Sequence, residues 1–147
     1  MKKPLWVSLV VPLKISRVSL WRVLTDPHYT QQYMFNCQLH CSWKVGTQVH
    51  WVEIAHNGKE TVHVSGELLE YSPHNCLRFK IKHTSNDAKG YSSELKFLVS
   101  PDKNGVLLSI VQGDFSHFPH PEKIYQDCLK GWQLVLKDLK ATCLKAT

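Results

Sequence analysis

From Glu122 to Lys145 the chain contains no proline, and Tyr125, Cys128, Leu129, Trp132, Val135, Leu136, Leu139 and Cys143 recur at three- and four-residue steps. That spacing puts one apolar stripe along a helix of about six turns. Lys123, Lys130, Lys137 and Lys140 fall off the stripe. A helix this long with one apolar face must lay that face on something. The upstream sequence says what. Between Asn36 and Gly113 the hydrophobic period changes from helical to two: Val49 and Trp51; Val62, Val64, Gly66 and Leu68; Leu77, Phe79 and Ile81; Leu95, Phe97 and Val99; Val106, Leu108 and Ile110. Turn sequences separate the runs, at Asn57-Gly58, Ser72-Pro73-His74-Asn75, Asn86-Asp87 and Asp102-Lys103-Asn104-Gly105. These residues supply a positive or fixed φ where the chain must reverse. Five or six strands joined this tightly form an antiparallel meander.

Ahead of the meander, Leu5 to Val11 reads as a first strand ended by Pro12. Lys2 and Lys3 before this apolar run give it the look of a secretory signal, but Pro4, Pro12 and the lack of a small-residue cleavage site favour the strand. Ser16 is suited to cap a short helix from Arg17 to Leu24, with Leu20, Val23 and Leu24 on one side. Asp26-Pro27 caps a second, from His28 to Tyr33. The expected fold class is therefore α+β over residues 1–147 as one domain: a curved antiparallel sheet around a long C-terminal helix, with two short helices after the first strand. Gly131 costs about 1 kcal/mol in a helix relative to alanine, so close packing beside Trp132 is expected there. A sheet wrapped round a single helix leaves a gap near its open edge.

Composition excludes several classes. The formal charge is +6 and the pI about 9.1, but the lysines are dispersed and no arginine-rich or basic-aromatic run occurs, so no nucleic-acid partner is expected. No stretch approaches the roughly 20 apolar residues of a membrane span. Five cysteines, Cys37, Cys41, Cys76, Cys128 and Cys143, are odd in number and irregularly spaced; reduced thiols and a cytoplasmic location follow. No nucleophile elbow, phosphate-binding glycine loop or HExxH motif is present, and no cofactor is called for. Cys37-x-x-His40-Cys41 is the best metal-ligand cluster. Zinc would need a fourth ligand from His117 or His120, and on a strand His40 points away from the two cysteines. A thiol pair beside a surface histidine is the favoured reading, with no metal.

The order of elements and several local sequences resemble the START-like helix-grip superfamily, and within it the domain related to the activator of heat-shock protein 90 ATPase. The matching stretches are Ser19-Leu20-Trp21 with Leu24-Thr25-Asp26-Pro27, Gly46, Gly66-Glu67-Leu68-Leu69-Glu70-Tyr71-Ser72-Pro73, Leu77-Arg78-Phe79, and Gly131-Trp132 with Leu136 and Leu139. The chain departs from the family at Gln32-Tyr33-Met34-Phe35, where a tryptophan is frequent, and at Gly46-Thr47 in place of a double glycine. The resemblance implies a cavity between sheet and long helix that holds a lipid, polyketide or other small hydrophobic molecule.

Tyr33, Phe35, Trp51, Glu53, Phe79, Tyr91, Phe118, Tyr125 and Trp132 are the candidates to line such a cavity. The aromatic ones serve equally as core, since each buried ring stabilises the fold by roughly 1.5–3 kcal/mol without a ligand. His117-Phe118-Pro119-His120 reads either as a lid or as a connection whose Phe118 plugs the core; the plug is favoured. Glu53, if it faces inward with Trp51, would have its pKa raised by desolvation; a strand end in water is the simpler place for it. Non-catalytic binding of a small hydrophobic molecule ranks first, with no catalytic residue assigned. The alternatives are a co-chaperone-like module acting on a heat-shock ATPase, which rests on the resemblance, and a cyclase- or hydratase-type enzyme built on Glu53, His50 and His83. Leu69, Leu98, Leu107 and Val111 in outward phases would supply a homodimer surface.

Overall fold

The computed structural model describes residues 2–146. Strand β1 (Val7–Leu13) leads into helices α1 (Arg17–Thr25) and α2 (Pro27–Tyr33). Six strands follow: β2 (Cys37–His40), β3 (Gln48–Ile54), β4 (Glu60–Ser72), β5 (Cys76–Lys82), β6 (Ser92–Asp102) and β7 (Gly105–Gly113). Helix α3 (Pro121–Ala146) ends the chain. The caps are those the sequence indicates. Ser16 Oγ accepts from the Ser19 amide at 3.0 Å, and the Asp26 carboxylate from the His28 amide at 2.8 Å, with Pro27 opening α2.

All seven strands form one antiparallel sheet in the order β1-β7-β6-β5-β4-β3-β2. β2 to β7 run as a meander, and β1 closes onto β7, so α1 and α2 carry the chain from one sheet edge to the other. Inward positions alternate with outward ones along each strand. Val106, Leu108 and Ile110 on β7, Leu95, Phe97 and Val99 on β6, and Leu77, Phe79 and Ile81 on β5 are all buried. Two features bend the sheet around α3. Register shifts at Trp51/Val52 and at Leu68/Glu70 mark bulges on either side of β4, which increase local twist. At Gly66 a Cβ would stand 1.9 Å from the Lys80 carbonyl oxygen, so β4 and β5 approach more closely than any side chain allows.

Three features differ from the sequence reading. Strand β1 runs through Pro12, which pairs with Leu107, rather than ending at it. β1 is an edge strand, and an edge tolerates a residue that has no N–H to give. The buried line on α3 includes Ile124 and Thr142, while Tyr125, Leu129 and Leu136 are only half-buried. The stripe is rotated toward Ile124, and threonine hides in it by donating its hydroxyl to Asp138 O at 2.8 Å. Gly131 makes no close contact with another element: beyond its chain neighbours and the adjacent backbone of its own helix, a Cβ there would meet no atom within 4 Å.

The convex face is mainly polar at its centre. Arg78 bonds Glu70 at 2.8 Å and also Glu94. Of the outward apolar residues, Leu98 is exposed and Leu69, Leu107 and Val111 are half-buried. Among the described residues, Trp21 Nε1 is the one buried side-chain polar atom without a hydrogen-bond partner. No helix among them is long and apolar enough to cross a membrane.

Candidate functional site

The open side of Gly131 is a cavity. It lies between the first half of α3 and the sheet, has a volume of about 470 Å³, and its walls include Trp51, Val64, Ile81, Leu95, Ile124, Trp132 and Val135. Met34 and Phe35 border it from the turn after α2, His63 from β4, residues 82–85 from the end of β5 and the following loop, and Asp127, Cys128 and Gly131 from α3. A second hollow of about 500 Å³ lies on the convex face against Trp6, Glu70, Arg78, Glu94, Lys96 and Val111. Size does not separate the two; chemistry does, because the second is walled largely by ion-paired charges and the first by apolar side chains.

One wall of the cavity is polar and buried. Gln112, 8% exposed, accepts from Trp132 Nε1 at 2.8 Å and from the Cys128 thiol at 3.3 Å through its amide oxygen. Its amide nitrogen donates to Ser93 Oγ at 3.0 Å, and Ser93 Oγ meets His83 Nε2 at 2.8 Å. The sequence carries the signal for this chain, although the pattern of apolar residues alone passes over it. Gln112 is the next inward position after Val106, Leu108 and Ile110; Ser93 precedes Leu95, Phe97 and Val99; His83 follows Leu77, Phe79 and Ile81. Three adjacent antiparallel strands thus put a polar residue at the same end of an otherwise apolar inner face. Burial lowers the His83 pKa below the usual histidine range, which keeps the ring neutral. Burial pushes the Cys128 thiol up to about 12, so it is a hydrogen-bond donor and not a thiolate.

The nine residues singled out from the sequence fall into two groups. Phe35, Trp51 and Trp132 border the cavity. Phe35 does so from a left-handed backbone conformation, φ 52°, followed by Asn36 at 63°; neither is glycine. Trp132 packs edge-on against Phe97 at 5.8 Å. The other six lie apart from it. Phe79 is sealed behind Trp51, with ring centroids 5.4 Å apart. Tyr33 is buried beneath α1 and donates its hydroxyl to Val23 O at 2.8 Å, and its burial raises its pKa. Tyr125 is half-buried on the flank of α3. Phe118 is 1% exposed between His83, Phe115 and the partly exposed Tyr91, so the loop is a plug behind His83 and not a lid.

Glu53 does not line the cavity but lies beside it, bonded to the lining residue His63. It accepts from His63 Nε2 at 2.8 Å and from Asn36 at 3.4 Å. The hydrogen bond from His63, then that from Asn36, outweigh desolvation and hold the carboxyl below its ordinary value. His50 Nδ1 meets Ser65 Oγ at 3.2 Å. None of Glu53, His50 and His83 is hydrogen-bonded to another of the three. Cys37 and Cys41 are both free thiols, with Cys37 Sγ donating to Phe35 O and Cys41 Sγ accepting from the Trp43 amide. Among the described residues no group of three or more His, Cys, Asp or Glu is placed to hold a metal ion.

Comparison with known proteins agrees with this architecture. Residues 14–143 match the model of the family described as activator of Hsp90 ATPase homolog 1-like protein. Among solved structures, protein MLL2253 from Mesorhizobium loti is similar with a TM-score of 0.78 at 21% identity, over 97% of this chain and 98% of that one. The AHSA1 protein SPO3351 from Silicibacter pomeroyi gives 0.69 at 17% identity, over 92% and 95%. DynU16, a protein of the dynemicin biosynthetic locus, gives 0.73 at 15% identity, over 92% of this chain and 46% of its own. At these identities the likeness carries the fold. No curated protein matches the chain significantly.

Proposed function

This chain belongs to the activator of Hsp90 ATPase homolog 1-like family, and from that premise we propose that it binds a small hydrophobic molecule in the cavity beneath the first half of α3, without catalysing a reaction on it. The observation that supports this is the cavity itself. Its volume of about 470 Å³ falls within the roughly 300–1,000 Å³ of small-molecule sites. Its walls are mostly apolar, and a few buried polar atoms converge on it, the combination by which such sites hold a body and orient a head.

Gly131 is the means to test it. Because a Cβ there enters open space and Gly131 borders the cavity, Gly131→Leu should place apolar bulk in it. Native mass spectrometry and thermal shift against a panel of lipids and aromatic metabolites should find at least one bound species. A ligand at a hundred times its Kd adds about 2.7 kcal/mol, a Tm shift on the order of 10 °C for a chain of this size. Gly131→Leu should fold and lose that shift. No bound species and no stabilisation across the panel would remove the proposal, and undiminished binding by Gly131→Leu would move the site elsewhere.

A further inference from the structure

The polarity of the buried chain can be worked out atom by atom. An indole N–H only donates, so the Gln112 atom 2.8 Å from Trp132 Nε1 is the amide oxygen. The Cys128 thiol donates to that oxygen as well, and both of its lone pairs are then engaged. The amide nitrogen must therefore face Ser93, giving one N–H to Ser93 Oγ and leaving the second without a partner among the described residues. Ser93 is 4% exposed. Its hydroxyl proton cannot go to the Gln112 nitrogen, so it goes to its other neighbour, His83 Nε2. A His83 ring that accepts at Nε2 carries its proton on Nδ1. Nδ1 makes no hydrogen bond in the structure and is not a sealed, unpartnered atom. The cavity thus has two side-chain N–H groups to offer, on Gln112 and His83, and the one side-chain carbonyl in its buried wall, that of Gln112, is already engaged. Other polar side chains at the cavity are at the mouth. Lys82, Thr84, Ser85 and Asp127 are exposed there, with Asp127 3.3 Å from Lys123, and His63 is bonded to Glu53.

We propose that the cavity recognises its ligand's head by hydrogen bonds donated from Gln112 and His83, so that the ligand is an apolar molecule bearing a carbonyl oxygen, such as a ketone, ester or carboxylate. This rests on the ligand-binding reading of the same cavity and specifies what that reading leaves open. A carbonyl oxygen accepts an N–H from either group and brings no proton of its own. A hydrocarbon of the same shape leaves both donors without a partner, and a hydroxyl brings a proton that the Gln112 carbonyl, already engaged, does not take.

Three isosteric probes separate the cases on the unmodified protein: 2-acetylnaphthalene, 1-(2-naphthyl)ethanol and 2-isopropylnaphthalene, titrated by calorimetry or by quenching of tryptophan fluorescence. The ketone should bind about tenfold more tightly than the hydrocarbon, with the alcohol between them. Equal or tighter binding of the hydrocarbon overturns the donor assignment while leaving the cavity as a ligand site. No binding of any of the three overturns both. Nitrogen-15 NMR of the histidine rings supplies a readout independent of ligand: His83 should show the Nδ1–H tautomer, and an Nε2–H or doubly protonated ring at neutral pH overturns the chain of donors. In folded Gln112→Met the advantage of the ketone should shrink to a few-fold or less; an undiminished advantage rules Gln112 out as a reader.

Discussion

The two halves of α3 lie across the same sheet and cover it differently. In the second half Leu139, Thr142 and Cys143 are 1%, 2% and 4% exposed, none of them borders the cavity, and the one buried hydroxyl is satisfied within the helix, by Asp138 O. In the first half Ile124, Asp127, Cys128, Gly131 and Trp132 all border the cavity, which reaches Val135 just past the midpoint. Polar atoms there are satisfied across the interface, from Trp132 to Gln112 on β7 and on to Ser93 and His83. Aromatic content does not distinguish the hollow region, since buried rings occur both in its walls and well away from it. What marks it is a glycine on the helix that shares the cavity with Gln112 and His83, which Ser93 links behind it. Large apolar side chains interdigitate and exclude space; a hydrogen-bonded amide holds its neighbours at fixed distances and leaves space.

The contrast can be broken at several points. The largest effect is expected in the closed half: Leu139→Ala should lower the unfolding free energy by roughly 2–5 kcal/mol, as a buried leucine whose loss leaves a void, measured by urea denaturation. A change under 1 kcal/mol would mean the closed half is not packed as described. Trp132→Phe keeps a ring beside Phe97 and removes the donor to Gln112; about 1–3 kcal/mol should be lost. Gly131→Ala should act in the opposite direction, raising stability by about 1 kcal/mol, because the helix gains propensity and the methyl enters open space. Destabilisation would show that the wall at Gly131 is closed in solution.

The smallest effect is a pH dependence. Burial lowers the His83 pKa, so its neutral form contributes stability in full above the ordinary histidine value of about 6.5. As the pH falls below that value the unfolded chain takes up a proton first, and stability declines toward the folded pKa. Unfolding free energies of the parent and His83→Asn measured between pH 7.5 and 5 should show a shallower decline in the variant. Identical slopes would indicate that His83 is solvated.

Much of this architecture can be read from the chain itself. The three-four spacing before Cys143, the period of two from Val49 to Ile110, and the caps at Ser16 and Asp26 are local signals with few alternative outcomes. The boundary at Pro12 misleads because proline's effect depends on whether a second strand lies beyond it, which no local sequence states. The site is harder still. Trp51 and Phe79 are neighbouring buried rings with indistinguishable sequence signals, yet Trp51 borders the cavity and Phe79 does not. Burial stabilises both alike. Gln112, Ser93 and His83 are more informative than any aromatic, because a polar residue at an inward phase demands a partner. Their meaning emerges only when the strands are paired and all three fall at one end of the sheet. Gly131 illustrates the converse: the same residue suits a tight contact or an empty space, and only the neighbours decide.

The hydrogen bond between Trp132 and Gln112 also acts mechanically. It ties a helix to a sheet strand at a single angular setting, so α3 cannot roll into the hollow below it without breaking that bond. The bond is a strut. A chamber braced in this way keeps its form when nothing is inside, and a guest can leave without the walls falling in behind it. Exchange of the proposed ligand then requires no refolding step.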